Sequence, residues 1–316
     1  MSSDRIRRRT PVVLMLLAVL ALVALAGCGS SDEQTTTGPS ATAGPITVTD
    51  DAGVEVTLER PAERIVSLAP ANTEIAYAIG AGDKMVAGTS YDDYPEEAKA
   101  LPKVGDLVNP SVEKIVSFEP DLVLAAAGLQ QAQRTKLADL GVKVFVVDPT
   151  SYEGTIATIE ALGKLTGAED GAAAVAQRMM QVRDDVHAKV ASLEKATTFL
   201  EIYSEPLMTA GSGTFIDDLI TLAGGTNIGA SAGSGFPNFS TEVLLKEDPA
   251  VYIADSGSMS EPGDISQRAG FDELTAIKGG RVYVIADNII ARPGPRLAEG
   301  LQELAAMIHP EAFESQ

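Results

Sequence analysis

The sequence contains one cysteine, no tryptophan and two histidines among its 316 residues. A single cysteine excludes an internal disulfide and any zinc or iron–sulfur site built from several thiolates. The two histidines, His187 and His309, are too few to favour a histidine-based metal site. Basic residues are also scarce, because 24 Lys and Arg stand against 44 Asp and Glu, a formal net charge of −20. Such a chain repels phosphate backbones, so binding to nucleic acid is not expected.

The first 27 residues have the pattern of a secretory signal sequence. Four arginines lie among the first nine residues, and an apolar run extends from Pro11 to Ala26. This run is shorter than the about 20 residues that a membrane span requires. It therefore indicates a signal sequence that is removed, and an uncleaved membrane anchor is the alternative.

The residues that follow predict a lipid anchor and a flexible tether. Leu25-Ala26-Gly27-Cys28 resembles the lipobox of bacterial lipoproteins, which implies that Cys28 becomes the first mature residue and carries the lipid. Residues 28–45 hold almost no large apolar side chain and cannot offset the entropy of ordering. We therefore expect the folded part to lie outside the cytoplasmic membrane, tethered to its outer face through the lipid.

From residue 46 onward the apolar pattern predicts an α/β fold. Residues 46–58 alternate apolar and polar around Asp-Asp-Ala-Gly, which indicates a hairpin. Short buried strands then alternate with helices, which predicts largely parallel sheets covered by helices. The predicted strands are Ile65–Leu68, Met85–Gly88, Leu122–Ala125, Val142–Val147, Thr198–Tyr203, Val251–Ala254 and Val282–Ile285, and the predicted helices are Asn72–Ile79, Gln131–Leu140, Tyr152–Leu165, Thr214–Ala223 and Arg296–Ile308.

One long segment predicts a single helix between two such regions. Residues 168–195 contain no proline and, after Gly171, no glycine, while Val175, Met179 and Val186 recur at helical spacing. A helix of about 25 residues would be roughly 37 Å long. We therefore expect an N-terminal α/β lobe at 46–167, a bridging helix at 168–195 and a C-terminal α/β lobe at 196–316.

An internal repeat relates the two expected lobes. Residues 111–126 (SVEKIVSFEPDLVLAA) align without gaps with residues 240–255 (STEVLLKEDPAVYIAD), so that Ser111 matches Ser240 and Glu113 matches Glu242. Each unit predicts a short helix that stops before a proline and leads into a buried strand. The two glutamates then lie near equivalent helix starts, where a carboxylate interacts favourably with the helix dipole. They have either one structural role in each lobe or a joint role as a two-point docking surface.

One motif raises a catalytic alternative. Residues 229–233 match G-x-S-x-G, and Asp255 and His309 follow in the chain order of an α/β-hydrolase. A nucleophile elbow needs a strand before Ser231 and a helix after it, whereas both flanks are rich in Gly, Asn and Pro, as loops are. The sequence therefore predicts a protein that is not an enzyme, and a hydrolase using Ser231 is the least favoured alternative.

Three longer stretches resemble a known family. RIVSLAPANTEIAYAIGAGDKMVAGTS with YDDYP, PKVGDLVNPSVEKIVSFEPDLVLA and RPGPRLAEGLQELA are similar to the iron-complex and cobalamin class of ABC-transporter substrate-binding lipoproteins. The resemblance covers nearly all of residues 60–308. It implies a class III periplasmic-binding-protein architecture, with two α/β lobes of largely parallel sheet bridged by one long helix. It also implies a monomer that binds its ligand between the lobes and docks on a membrane permease through Glu113 and Glu242.

Within that class the motifs look most like the cobalamin-binding branch. Matching them places Tyr91, Met208, Phe236, Asp287 and Arg292 at the cleft. The resemblance thus implies that the ligand is a small metal chelate, namely a corrinoid. It implies no resident cofactor and no metal ion bound by the protein itself. Some cobalamin binders line the cleft with tryptophan, and here Leu107 and Ala126 stand where aromatic residues are expected. A ferric siderophore or haem therefore stays open as the alternative ligand.

Overall fold

A computed structural model describes residues 44–257 and 262–313 of the chain. The predicted signal sequence, Cys28 and most of the predicted tether lie outside the described residues. Within these residues, no helix is both apolar enough and long enough to cross a membrane.

The N-terminal half contains a hairpin followed by a four-stranded sheet. The hairpin strands β1 (Ile46–Thr49) and β2 (Glu55–Leu58) are antiparallel, as the alternating pattern predicts. The sheet contains the strands β3 (Ile65–Ser67), β4 (Met85–Ala87), β5 (Leu122–Ala126) and β6 (Val144–Val147), and the helices are α1 (Pro70–Ala78), α2 (Val112–Ser117) and α3 (Gln131–Asp139). The strand order is β4-β3-β5-β6 and every pair is parallel. The order reverses between β3 and β5, which is where open α/β sheets bind ligands.

Two helices lead from the first sheet to the second half of the chain. α4 (Tyr152–Thr166) begins at Ser151, whose hydroxyl accepts the Gly154 N–H at 2.9 Å, and ends at Gly167, which is left-handed with φ +67°. α5 (Glu169–Val190) has 22 residues and is about 33 Å long at 1.5 Å per residue. It ends before the predicted boundary because residues 191–193 form a turn into the next strand.

The C-terminal half contains a five-stranded mixed sheet. Its strands are β7 (Ala196–Ser204), β8 (Leu207–Thr209), β9 (Gly225–Asn227), β10 (Val251–Ser256) and β11 (Val282–Ala286), and its helices are α6 (Phe215–Leu222), α7 (Thr241–Glu247), α8 (Thr275–Lys278), α9 (Asp287–Ile290) and α10 (Leu297–Ile308). The order is β11-β10-β7-β8, and β9 also pairs with β7. Only β8 is antiparallel to its neighbour. β8 and β9 have three residues each, and with two large apolar side chains in β8 and none in β9 they lack the apolar run that predicts a strand.

The core joins the two halves. α5 buries Ala172, Met179 and Val190 along one face and packs against both α4 and α10. The largest apolar cluster extends from the hairpin through both sheets to α10, and the described residues belong to one compact unit. The residue boundaries of two separate lobes therefore stay a prediction.

The structure places both copies of the repeat in the same conformation. Each copy is a helix (α2 or α7) followed by a parallel strand (β5 or β10). Ser111 and Ser240 cap these helices, accepting the N–H of Lys114 at 3.3 Å and of Val243 at 3.5 Å. Glu119 and Asp248, which the alignment pairs, have φ of +47° and +44° and are the only non-glycine residues of the described part with positive φ.

A glycine at these two left-handed positions is expected to change the stability by different amounts. We expect Glu119→Gly to raise the free energy of unfolding by roughly 0.5–1 kcal/mol, because a side chain is strained at this φ and glycine is not. Asp248→Gly should gain less or lose stability, since the Asp248 carboxylate accepts the Thr275 N–H and hydroxyl, both at 2.6 Å. Urea denaturation of both variants measures the difference, and equal gains would contradict it.

Candidate functional site

A cavity of about 660 Å³ lies at the carboxyl ends of the parallel strands. Ala69 follows β3 at its wall, Ala126 ends β5, Asp148 follows β6 and Asp287 follows β11 directly. Residues from both halves of the chain therefore form the cavity. Its volume falls in the range of small-molecule binding sites.

Four of the five ligand-binding residues predicted from the sequence line this cavity. They are Tyr91, Phe236, Asp287 and Arg292. Met208 is not part of the lining; it lies on β8, where it pairs with Tyr203 and bridges to Asn238. The structure thus brings four predicted residues together and places the fifth elsewhere.

Aromatic side chains are exposed on the wall rather than packed in the core. Tyr91 is 48% and Phe236 is 47% exposed, and Phe215 also lines the cavity. Buried aromatics of the same chain, such as Phe145 and Tyr252, are 0–1% exposed. The Tyr91 and Phe236 rings are therefore free to contact a flat apolar ligand.

The loop that carries Tyr91 is held by a buried aspartate. Asp92 accepts the Thr89 N–H at 2.9 Å, the Thr89 hydroxyl at 2.7 Å and, from α1, the Thr73 hydroxyl at 2.9 Å. Burial raises the pKa of Asp92 above its ordinary value, and these hydrogen bonds lower it in part. A side chain at Gly88 would clash, since its Cβ would lie 2.0 Å from Asp92 Oδ2. The loop is therefore fixed against α1.

Arg292 forms ion pairs across the two halves of the chain. Its Nη1 donates to Glu74 Oε1 on α1 at 2.9 Å, and its Nη2 donates to Asp93 Oδ2 at 3.1 Å. Arg296 Nε donates to Glu74 Oε2 at 2.8 Å, and its guanidinium lies 4.3 Å from the ring centre of Tyr94. Hydrogen bonding to Arg292 lowers the pKa of Asp93. Burial lowers the pKa of Arg292, but its two carboxylate partners outweigh this and leave it above its ordinary value.

A second acidic group lies behind Asp287. Asp255, near the end of β10, is only 4% exposed, and its Oδ1 has no hydrogen-bond partner among the described residues. Burial, together with the nearby carboxylates of Asp287 and Glu201, raises the pKa of Asp255 to about 7. Glu201 is fully buried but is paired with Arg268, whose Nη2 donates to Glu201 Oε1 at 2.9 Å.

The charges of the cavity wall are mostly negative. Asp106, Asp148 and Asp287 line it with a single cation, Arg292, which is already paired with Glu74 and Asp93. Asn72, 1% exposed at the start of α1, also lines the wall, and its Nδ2 has no hydrogen-bond partner among the described residues. The wall therefore offers both acceptors and a donor, and its net charge is negative.

The three residues of the hydrolase alternative do not form a triad. Ser231 lies in a 3-10 turn, not at a strand end, and its hydroxyl donates to the carbonyl oxygen of Ile228 at 2.8 Å. The ring nitrogens of His309 lie 3.1 Å from Gly224 O and 3.3 Å from Glu311 Oε1. The serine and histidine side chains thus have other partners, and the nucleophile lacks a base.

Glu113 and Glu242 occupy equivalent exposed positions. Each is the second residue of its helix, α2 or α7, and each side chain is exposed. Neither carboxylate has a hydrogen-bond or ion-pair partner within residues 44–257 and 262–313. Both are therefore available to a partner protein.

The same described ranges contain no group of three or more His, Cys, Asp or Glu that could hold a metal ion.

Sequence reasoning missed most of the polar support of the cavity. Glu74, Asp92 and Asp93 look like ordinary surface acids in the sequence, and only the fold brings them to Arg292 or to the Tyr91 loop. Phe215 lies at the start of the predicted helix Thr214–Ala223, and the sequence gives no sign that it faces a cavity. The YDDYP motif was the one available signal, because it contains Tyr91, Asp92, Asp93 and Tyr94 in succession.

Comparison with known proteins places these features in context. The profile of the periplasmic binding protein family matches residues 65–289. An uncharacterized ABC transporter substrate-binding lipoprotein of Bacillus subtilis (strain 168) is 35% identical over 306 residues, which cover 94% of this chain and 96% of that protein.

Two solved structures are similar over about four fifths of this chain. The periplasmic vitamin B12 binding protein BtuF of Vibrio cholerae has a TM-score of 0.72 and 30% identity, covering 81% of this chain and 99% of that one. A possible iron-binding (periplasmic solute-binding) protein of Staphylococcus epidermidis ATCC 12228 has a TM-score of 0.67 and 31% identity, covering 79% of this chain and 100% of that one. Proteins with different ligands thus share this fold.

Proposed function

Because the chain belongs to the periplasmic binding protein family of ABC-transporter substrate-binding proteins, we propose that it captures a corrinoid in the cavity and delivers it to the permease of an ABC importer. The α/β fold with parallel sheets and the connecting helix is that of the family's class III members. As part of the same proposal, residues 46–167 and 196–316 act as two lobes and Cys28 carries a lipid anchor on the outer face of the cytoplasmic membrane. Under this proposal the protein is not an enzyme.

The character of the cavity wall is the observation that carries the ligand assignment. Tyr91, Phe215 and Phe236 provide flat apolar faces, which suit a large planar macrocycle. The periphery of a corrin bears primary amides, which both donate and accept hydrogen bonds. Asp287 and Asn72 supply the complementary acceptor and donor without requiring charge on the ligand.

The alternative is a ferric siderophore or haem, and the charge of the wall argues against it. Haem propionates and many ferric chelates are anionic, whereas the wall carries three aspartates and one arginine that is already neutralised. Burying an anion there without a free cation is unfavourable. One feature favours the siderophore or haem: an anionic group of the ligand could replace Asp93 as the partner of Arg292.

A ligand panel tests the proposal. The mature protein is titrated with cyanocobalamin, haem and ferric desferrioxamine, and both absorbance and melting temperature are recorded. Cyanocobalamin should raise the melting temperature. By mass action, the free energy of unfolding increases by about 2.7 kcal/mol when the free ligand concentration is 100 times Kd. Binding of haem or the siderophore, with no shift by cyanocobalamin, would overturn the corrinoid assignment.

The two exposed aromatics supply a prediction for affinity. We expect Tyr91→Ala and Phe236→Ala each to weaken cyanocobalamin binding about tenfold, since each removes a ring that would stack on the macrocycle. Tyr203→Ala is the matched control, because Tyr203 is also an exposed aromatic but lies outside the cavity lining. Isothermal titration measures all three. An affinity loss in the control equal to that in the two variants would contradict the assignment of the cavity.

A further inference from the structure

The buried carboxyl of Asp255 differs from the other buried carboxylates of the chain. Glu74 is paired with two arginines, Glu201 with Arg268, and Asp92 with the Thr73 and Thr89 hydroxyls. Asp255 accepts a hydrogen bond from the Ser256 N–H, but its Oδ1 has no hydrogen-bond partner among the described residues. A carboxyl left in this state is costly to ionise.

Strand register places Asp255 beside the cavity wall. β10 and β11 are parallel, with Asp255 opposite Ile285 and Ser256 opposite Ala286, so Asp287 continues the next strand at the same edge. The Asp287 carboxyl lies against the backbone of Gly257, where an added Cβ would come within 2.0 Å of its Cγ. The two carboxyls therefore lie at the ends of adjacent strands, one buried and one lining the cavity.

The surrounding charges leave Asp255 without a cation. β7, on the other side of β10, presents Glu201, and α9 presents Asp287. Arg268 is the one nearby cation, but it donates to Glu201 Oε1 at 2.9 Å and to the carbonyl oxygen of Pro262 at 2.6 Å. The Tyr252 hydroxyl also contacts Glu201. Burial and these two carboxylates raise the pKa of Asp255 to about 7, so it keeps its proton below neutral pH and loses it as the pH rises above about 7.

We propose that Asp255 is held in its neutral, protonated form beside Asp287 and that Asp255, as a positioning residue, thereby sets the charge that the cavity wall presents to the ligand. With Asp255 protonated, the Asp287 carboxyl is the group of the two that accepts hydrogen bonds from a ligand in the cavity. It then selects a ligand group that donates a hydrogen bond and has no negative charge, such as a primary amide. This inference rests on the proposed function, because it concerns the same cavity.

Ligand binding should then be coupled to proton uptake. A ligand that covers Asp287 removes water from the pair and makes ionisation of Asp255 still less favourable. The complex therefore binds the proton more tightly than the free protein does. Affinity must fall as the pH rises above about 7, by at most tenfold per pH unit for one proton.

The experiment measures cyanocobalamin affinity from pH 6 to pH 8.5 and the proton uptake at pH 7.5, by calorimetry in two buffers of different ionisation enthalpy. We expect a roughly tenfold weaker Kd at pH 8.5 than at pH 6 and net proton uptake in the wild type. Asp255→Asn should show neither, and the exposed Asp139→Asn should behave like the wild type. A flat Kd without proton uptake in the wild type would overturn the proposal.

A ligand-free measurement separates this inference from the proposed function. The folded state keeps the Asp255 proton up to about pH 7 while the unfolded state releases it near pH 4. Asp255→Asn should therefore melt higher than the wild type by a margin that grows from pH 4 to pH 7 and then stays constant. No cyanocobalamin binding at any pH would contradict the proposed function alone. A margin that does not change with pH would overturn the protonated state of Asp255 and with it this inference.

Discussion

Replacing both Glu113 and Glu242 with alanine is expected to reduce ligand uptake by at least about 100-fold and to leave ligand affinity unchanged. Each carboxylate is exposed at a helix start and has no partner among the described residues. Charge-assisted pairs that become desolvated at an interface cost 2–5 kcal/mol when one member is truncated, and each 1.4 kcal/mol is a factor of ten. Uptake of labelled ligand by whole cells measures the first effect, and titration of the purified protein measures the second.

A matched control separates docking from net charge. Glu160→Ala with Glu303→Ala removes two exposed helical glutamates and changes the net charge by the same amount. This variant should transport like the wild type. Each single variant, Glu113→Ala or Glu242→Ala, should lose part of the uptake, because one contact of the pair is retained. Normal uptake by the Glu113/Glu242 double variant would contradict the docking role.

Replacing Glu74 with alanine is expected to lower the free energy of unfolding by about 3–5 kcal/mol. Glu74 is 3% exposed and accepts hydrogen bonds from both Arg292 and Arg296, at 2.7–2.9 Å. Removing it leaves two partly buried guanidinium groups without their shared carboxylate, and breaking a buried pair from one side has this cost. Urea denaturation measures the loss, with Glu303→Ala as the exposed control.

A second substitution identifies the cause of that loss. Glu74→Gln keeps the volume and one acceptor oxygen but removes the charge, so most of the destabilisation should persist if charge is responsible. A loss below about 1 kcal/mol in Glu74→Ala would contradict the role of this ion-pair cluster, because that is the range of exposed pairs.

The sequence predicted the parallel α/β architecture because its helices show their apolar period and most of its strands are continuous apolar runs, including the three-residue β3 and β4. The equally short β8 and β9 were missed because Gly225–Asn227 contains no large apolar side chain and Leu207–Thr209 contains only two. The repeat predicted equivalent positions for Glu113 and Glu242, and even pairs the left-handed Glu119 with Asp248.

The polar network of the site was not predictable in the same way. Glu74 and Arg292 are more than 200 residues apart, and only the fold brings them together. In the sequence, Asp255 matches the aspartate of the Ser–Asp–His order of an α/β-hydrolase. Its burial beside Asp287 depends on the register of β10 and β11. Tyr91 and Phe236 were found through motifs, because a lone aromatic does not reveal whether it faces the core or a cavity.

The apolar cluster that extends from the hairpin through α5 to α10 couples the unfolding of the two halves of the chain. Each sheet also has a smaller apolar cluster of its own, with Val123 in the first and Phe199 in the second, but the largest cluster contains both Ile65 of β3 and Ile253 of β10. Since separating the two sheets would expose this shared cluster, we expect the described residues to unfold cooperatively. A ligand in the cavity should then protect the hairpin and the last helix from local unfolding, although neither element lines the cavity.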